Sequence, residues 1–138
     1  MKYSLYIIIF LITAGRPVLI FSQTSGIEEA KNSIYNSKTD EERLMNLVAV
    51  SKLKNSLHGD TIYFYALWAK KLSIQLKDSK NLAWAEYSII AGDLAKGKTD
   101  SVVYKIDNNK IFNDIKKTDA VLYYKIQLLK ANALNRLD

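Results

Sequence analysis

From residue 26 onward, apolar and polar positions alternate at helical intervals over long stretches, broken only by short polar groups carrying Asp, Ser, Thr, Gly or Lys. The spacing predicts helices at about Ile27–Ser37, Thr39–Leu57, Asp60–Lys77, Lys80–Gly97, Asp100–Lys116 and Asp119–Leu137. Thr39 or Asp40, Asp60, Asp100 and Asp119 stand where a side-chain oxygen can accept from the open N–H groups of a first turn. Glu42, three residues after Thr39, suits a capping box. Lys77, Lys96, Lys116 and Lys117 sit at the far ends of segments, where the helix dipole favours cations. No two-residue turn between alternating strands competes, so the fold class is all-α.

The apolar positions also predict faces. In the third segment Ile62, Ala66, Ala69 and Leu76 form one stripe and Phe64, Leu67 and Trp68 a second, as expected of a helix covered on two sides. The fourth has Trp84, Tyr87, Ala91 and Leu94 on one face with Leu82, Ala85 and Ile89 beside it. In the last, Val121, Tyr124, Leu128 and Ala131 form the stripe expected to be buried. Broad apolar faces on short antiparallel helices point to helices stacked on helices.

Residues 1–22 obey a different pattern. A positive start at Lys2, an apolar run from Tyr3 to Ala14, the breaker Gly15-Arg16-Pro17 and an apolar coda ending at Ser22 read as a secretory signal peptide, with cleavage between Ser22 and Gln23. The competing reading is an uncleaved membrane anchor over Tyr3–Ser22, which spans about the twenty residues a bilayer requires. Arg16 and Pro17 inside that span favour cleavage. The chain has no Cys, so the lipid anchor that needs one at a cleavage site is excluded. The expected location is exported, periplasmic or membrane-associated, with the membrane met only through this segment.

Composition adds limits. Five Gly, one Pro and no Cys in 138 residues exclude a collagen and a disulfide-stapled miniprotein. The formal charge of +6 falls by two once Lys2 and Arg16 are removed. Acids at Glu28, Glu29, Asp40, Glu41, Glu42, Asp60, Asp78 and Asp100 are interleaved with the bases, so no nucleic-acid stripe is expected.

Sliding the chain against itself by 40 residues aligns Asp60 with Asp100, Ile62 with Val102, Lys70 with Lys110, Leu72 with Phe112, Leu82 with Leu122, Trp84 with Tyr124, Ala91 with Ala131 and Leu94 with Leu134. A period of this size is the mark of a solenoid, in which each helical hairpin buries its face against the next. The segment from Asp60 through Ala66, Ala69 and Leu72, followed by Lys77-Asp78-Ser79 and a new helix near Leu82, resembles the second helix and turn of a tetratricopeptide repeat. Ala66 and Ala69 match the family's small positions, and Tyr65 and Leu72 its aromatic and apolar ones. The family's usual period is about 34 residues, and Asp78-Ser79 stands where its turn proline is common.

The resemblance implies antiparallel helical hairpins stacked as a short right-handed superhelix, about two and a half of them over residues 23–138, with the C-terminal hairpin truncated. A leader followed at once by such repeats is similar to the N-terminal periplasmic region of bacterial sensor histidine kinases or transcriptional regulators.

Candidate chemistry is sparse. The single His, His58, stands in the break His58-Gly59-Asp60 and reads as a solvated turn residue. Glu28-Glu29 and Glu41-Glu42 read as first-turn charges and Asp107 with Asp114 as a solvated face. Glu86, Asp93 and Asn132 would interest an enzymologist only if a pocket gathered them around a metal, and no such cluster is expected. No phosphate loop, Ser elbow or paired-His zinc motif occurs. Catalytic, cofactor-binding and metal residues are therefore set at none.

Aromatic residues are the enriched class: Tyr63, Phe64, Tyr65, Trp68, Trp84, Tyr87, Tyr104, Tyr123 and Tyr124. Most are expected in the core, with one or two left to anchor a partner. The expectation is an exported, non-catalytic helical-repeat scaffold that binds a protein or peptide. The alternative is a fragment of the sensor region of a membrane-bound kinase or regulator. Self-association through the uncapped last helix, with Leu128, Leu129 and Leu134 exposed, is expected as well.

Overall fold

The computed structural model describes residues 28–52 and 59–137, and every regular element among them is helical. A first helix, α1, covers residues 28–35. It is followed by α2 (Asp40–Ser51), α3 (Gly59–Leu76), α4 (Ser79–Ala95), α5 (Thr99–Asp107), a 3-10 turn (Lys110–Phe112), a single turn α6 (Ile115–Thr118) and α7 (Ala120–Leu134). The segment expected to carry the signal peptide, and His58, lie outside the described residues.

Three helices open with the same device. Thr39, Asp78 and Asp119 each accept a hydrogen bond from the N–H three residues on, at Glu42, Asn81 and Leu122, at 2.9–3.1 Å. Glu42 returns the favour by accepting from the Lys38 N–H at 2.8 Å. Asp60 and Asp100, expected as caps, lie instead inside the first turns of α3 and α5, where they face the positive end of the dipole. The two long helices also end alike. Lys77 and Gly97 adopt left-handed φ of 56° and 76°, and the next N–H groups, of Asp78 and Lys98, reach back to the carbonyls of Ser73 and Asp93.

The segment expected as one helix over Asp100–Lys116 is three pieces. Asn108 ends α5, and the Asn109 side chain accepts from the Ile111 N–H at 3.0 Å, which favours an extended backbone at Asn109. Asn side chains compete with the helix for local hydrogen bonds, and two in succession break it.

Each long helix meets its neighbour in sequence, and α2, α4 and α7 also touch one another in succession: α2 packs on α3 and α4, α4 on α5 and α7, and α5 and α6 on α7. Ala66 and Ala69 are wholly buried. At Gly92 an added Cβ would stand 3.2 Å from Cδ2 of Tyr63, so the missing side chain lets the tyrosine lie directly on α4. Ser88 donates to the Trp84 carbonyl and lies 3.3 Å from the Ser51 hydroxyl of α2. Asn46 ties α2 to α1 through the Ser33 carbonyl and the Ser37 hydroxyl, both at 3.1 Å.

Helix α4 is buried nearly all round, as its two apolar faces predict. The second stripe of α3 is different, because Phe64 is 57% and Leu67 44% exposed. Its neighbours α2 and α4 occupy the other side of the helix. The stripe assigned to the core of α7 is also corrected: Val121, Tyr124, Leu128 and Ala131 are exposed, and Leu122, Ile126, Leu129 and Ala133 are buried. Both stripes of α7 are apolar, so spacing alone could not rank them. Leu128 and Leu134 are exposed as expected, but Leu129 is not.

Candidate functional site

Two concavities open between the helices. The first, of about 350 Å³, lies where the start of α3 meets the second halves of α4 and α7; its wall is largely apolar and includes Ile62, Ala91, Leu94 and Leu129. Arg136 closes one end by donating to the Leu94 carbonyl at 3.1 Å. The second, of about 570 Å³, is lined by polar and apolar side chains in about equal measure and runs between α3, α4 and α5 to the 3-10 turn.

The second groove is built one turn at a time. On α3, Tyr63, Leu67 and Lys70 recur at helical spacing along one wall. Across from them Glu86, Ile89 and Ile90 of α4 form the floor, and Tyr104, Lys105 and Asn108 of α5 the far wall. Asn109 and Lys110 enter only because α5 breaks there. A continuous helix over this stretch would carry them past the groove.

Charges in the groove are unequally matched. Lys70 pairs with Glu86 at 2.7 Å. Lys105 reaches the buried Asp93 carboxylate at 2.5 Å, with Lys98 at 3.6 Å on its other oxygen. Asp93 is thus neutralised from behind the wall, and Lys110 adds a further cation to the lining. Lys96 lies over the Tyr63 ring, 4.5 Å from its centre, while pairing with Asp60 at 2.6 Å.

Leu67 links this groove to an exposed apolar strip. Phe64 and Trp68 of α3 contact edge to face at 6.4 Å, and Tyr35 lies 6.2 Å from Trp68. Aromatic residues left exposed together beside a groove with charged walls form an anchor surface of the kind that takes a partner side chain.

The seam of α2, α4 and α7 holds a second cluster. The Trp84 indole donates to Asp119 at 2.9 Å, and the Lys52 ammonium lies 3.9 Å above the same ring. Burial pushes the Lys52 amine below its ordinary range, with Lys80 and Lys125 adding repulsion against the opposing pull of Asp119. Burial works to raise the Asp119 carboxyl, but the Leu122 N–H, the Trp84 indole, Lys80 and Lys52 outweigh it and hold the group below the usual carboxylate range. This constellation fastens α7 to α4.

Family models, curated proteins and solved structures give no match to this chain.

Sequence candidates for chemistry are dispersed. Glu28 pairs with Lys31, Asp107 with Lys130 and Asp114 with Lys117. Glu41 is exposed on α2, and Glu42 serves the cap. Glu86 and Asp93 are each committed to lysines, and Asn132 is exposed on α7. Among the described residues no three of His, Cys, Asp or Glu gather in a way that would hold a metal, and no helix is long and apolar enough to cross a membrane.

Of the aromatic candidates, Tyr65, Trp84 and Tyr87 are core. Tyr63 and Tyr104 line the groove, and Phe64 and Trp68 the strip. Tyr123 is half-buried against the exposed Tyr124. Sequence reading missed Asn108, Asn109 and Lys110; the Asn-Asn pair was the available signal.

Proposed function

We propose that the chain is an exported, non-catalytic helical-repeat scaffold whose groove between α3, α4 and α5 binds an acidic segment of a protein or peptide partner. The observation that carries this reading is the junction of two surfaces: a lining in which Lys70 and Lys105 are matched by Glu86 and Asp93 while Lys110 adds a further cation, continued through Leu67 into the exposed Phe64–Trp68–Tyr35 strip. An amphipathic acidic peptide satisfies both, its apolar side on the strip and its carboxylates toward the lysines and asparagines. Export rests on the Lys2 to Ser22 pattern. The stacking of hairpins in a tetratricopeptide-like right-handed superhelix is supported by the recurrence of caps at Thr39, Asp78 and Asp119 and by the successive contacts of α2, α4 and α7.

A fluorescein-labelled peptide patterned with Glu and Leu at helical spacing tests the groove. Anisotropy should show saturable binding that weakens with salt. Lys110→Glu, which removes no contact of the core, should lower affinity about tenfold, or about 1.4 kcal/mol. Binding that ignores both Lys110→Glu and salt would overturn the assignment.

A further inference from the structure

Aligned on Thr39, Asp78 and Asp119, helices α2, α4 and α7 can be compared position by position. On α4, Ala85, Ser88 and Gly92 face back toward α2 and α3, where Ser88 meets Ser51 and Gly92 meets Tyr63. The same cap-relative positions on α7 are Ile126, Leu129 and Ala133, all buried. The other side of α4 carries Ala83, Tyr87 and Ile90, also buried, in a helix on which α5 and α7 pack. On α7 those positions are Tyr124, Leu128 and Ala131, and all three are exposed. Helix α7 thus presents an apolar face in the register that is covered on α4.

Charge selects what fits it. Helix α7 carries Lys125 and Lys130 and no acid; Asp107 pairs with Lys130, and the flanking Lys116, Lys117 and Arg136 outnumber the flanking Asp114 and the capping Asp119. At the opposite end of the described chain, α1 and α2 carry Glu28, Glu29, Asp40, Glu41 and Glu42 against fewer bases. On α2, Glu41, Met45 and Ala49 are exposed at helical spacing, Met45 at 61%. Two α7 faces brought together would oppose lysine with lysine, whereas α7 against α2 joins apolar to apolar and base to acid. The order is also right, since α1 precedes α2 as α3 precedes α4.

We propose that the open α7 face docks α1 and α2 of a second copy of this chain, head to tail. Such a contact is heterologous, so each copy keeps one free face of each kind and association does not stop at a dimer. The proposal is independent of what the α3–α4–α5 groove binds.

Complementary blocking tests it, by sedimentation of the protein in the form an exporting host releases. The wild-type mass should rise steadily with concentration, and salt should weaken association. Leu128→Glu blocks one face and Met45→Glu the other, each at an exposed position, and each should weaken self-association about 100-fold or more because a carboxylate would be buried. Mixed together, the two variants should form a one-to-one pair, since each supplies the face the other lost. A wild-type monomer throughout, a Met45→Glu variant that still dimerises, or a mixture that stays monomeric would each overturn the proposal. Circular dichroism checks that both variants stay helical. Should one unfold, Lys125→Glu and Glu41→Lys replace them: each alone should weaken association and their equimolar mixture should pair, and no weakening by either would overturn the proposal. Acidic-peptide binding, read in the monomeric Leu128→Glu variant, reports on the groove separately.

Discussion

Helices α4 and α7 begin with the same aspartate cap and are rich in the same kinds of residue, yet α4 is enclosed and α7 is half open. Nothing in the composition of either helix announces the difference. Tyr87 and Leu128 occupy equivalent positions after their caps, one buried and one 63% exposed. Burial in this architecture is set by the neighbours that a helix has, and the sequence of the helix only permits it.

The widest separation between the two helices should appear on truncating that shared position. Tyr87→Ala should cost about 3 kcal/mol, through a lost aromatic contact with Trp84 and the cavity left in the core around α4. Leu128→Ala, made in the monomeric Met45→Glu background so that no second copy covers the face, should change stability by no more than about 0.5 kcal/mol. Denaturant titration of both substitutions in that monomeric background checks the contrast, and a large cost at Leu128 would mean that its face is covered within the single chain.

The caps offer a finer comparison. Asp78 accepts from the backbone and side chain of Asn81, next to it in the same helix. Asp119 accepts from Leu122 in its own helix and from Trp84 in another. Asp78→Ala should cost about 1 kcal/mol, the ordinary value of a cap. Asp119→Ala should cost about 2 kcal/mol, because the Trp84 indole also loses its acceptor. Equal losses in thermal unfolding would show that the tether between α4 and α7 contributes nothing beyond the cap.

The smallest effect is a response to acid. The Asp119 carboxyl is held below its ordinary range in the folded chain, so its stabilisation is complete above the unfolded carboxylate range and is lost as pH falls through the folded value. Wild-type protein should therefore lose more stability between neutral and strongly acidic pH than Asp119→Asn does. Thermal melts across that window read the difference, which should be less than the cost of Asp119→Ala.

Much of the helical layout was legible. Thr39 and Asp119 announce helix starts because an oxygen-bearing side chain beside an apolar period has few other uses, and the boundaries there agree closely, whereas the cap at Asp78 was not among the expected ones. The break in α5 was less visible, since Tyr104, Lys105 and Ile106 continue a helical pattern that the side chain of Asn109 interrupts by one local hydrogen bond. That break also lengthens the interval between caps, so Asp119 falls one residue past a strict 40-residue offset from Asp78. The pairing of Trp84 with Tyr124 was thereby displaced, the cap-relative partner of Tyr124 being Ala83.

The groove was harder to foresee. Its lysines come from three elements, and Lys110 reaches it through irregular backbone that periodicity does not describe. Tyr63 and Tyr104 stood among the aromatic candidates, but no spacing told them apart from Tyr65, which is core. Separating them required knowing which side of α3 its neighbours take.

The two tryptophans give the chain a built-in pair of optical reporters. Trp68 lies half-buried in the outer aromatic strip with Tyr35 and Phe64, whereas Trp84 is enclosed at the seam with its indole bonded to Asp119. Emission from Trp68 would shift when the strip changes its surroundings, and emission from Trp84 when α7 lifts from α4. Replacing either with phenylalanine would leave a single-colour signal, so occupancy of the outer surface and loosening of the last helix can be followed in the same cuvette without any added label.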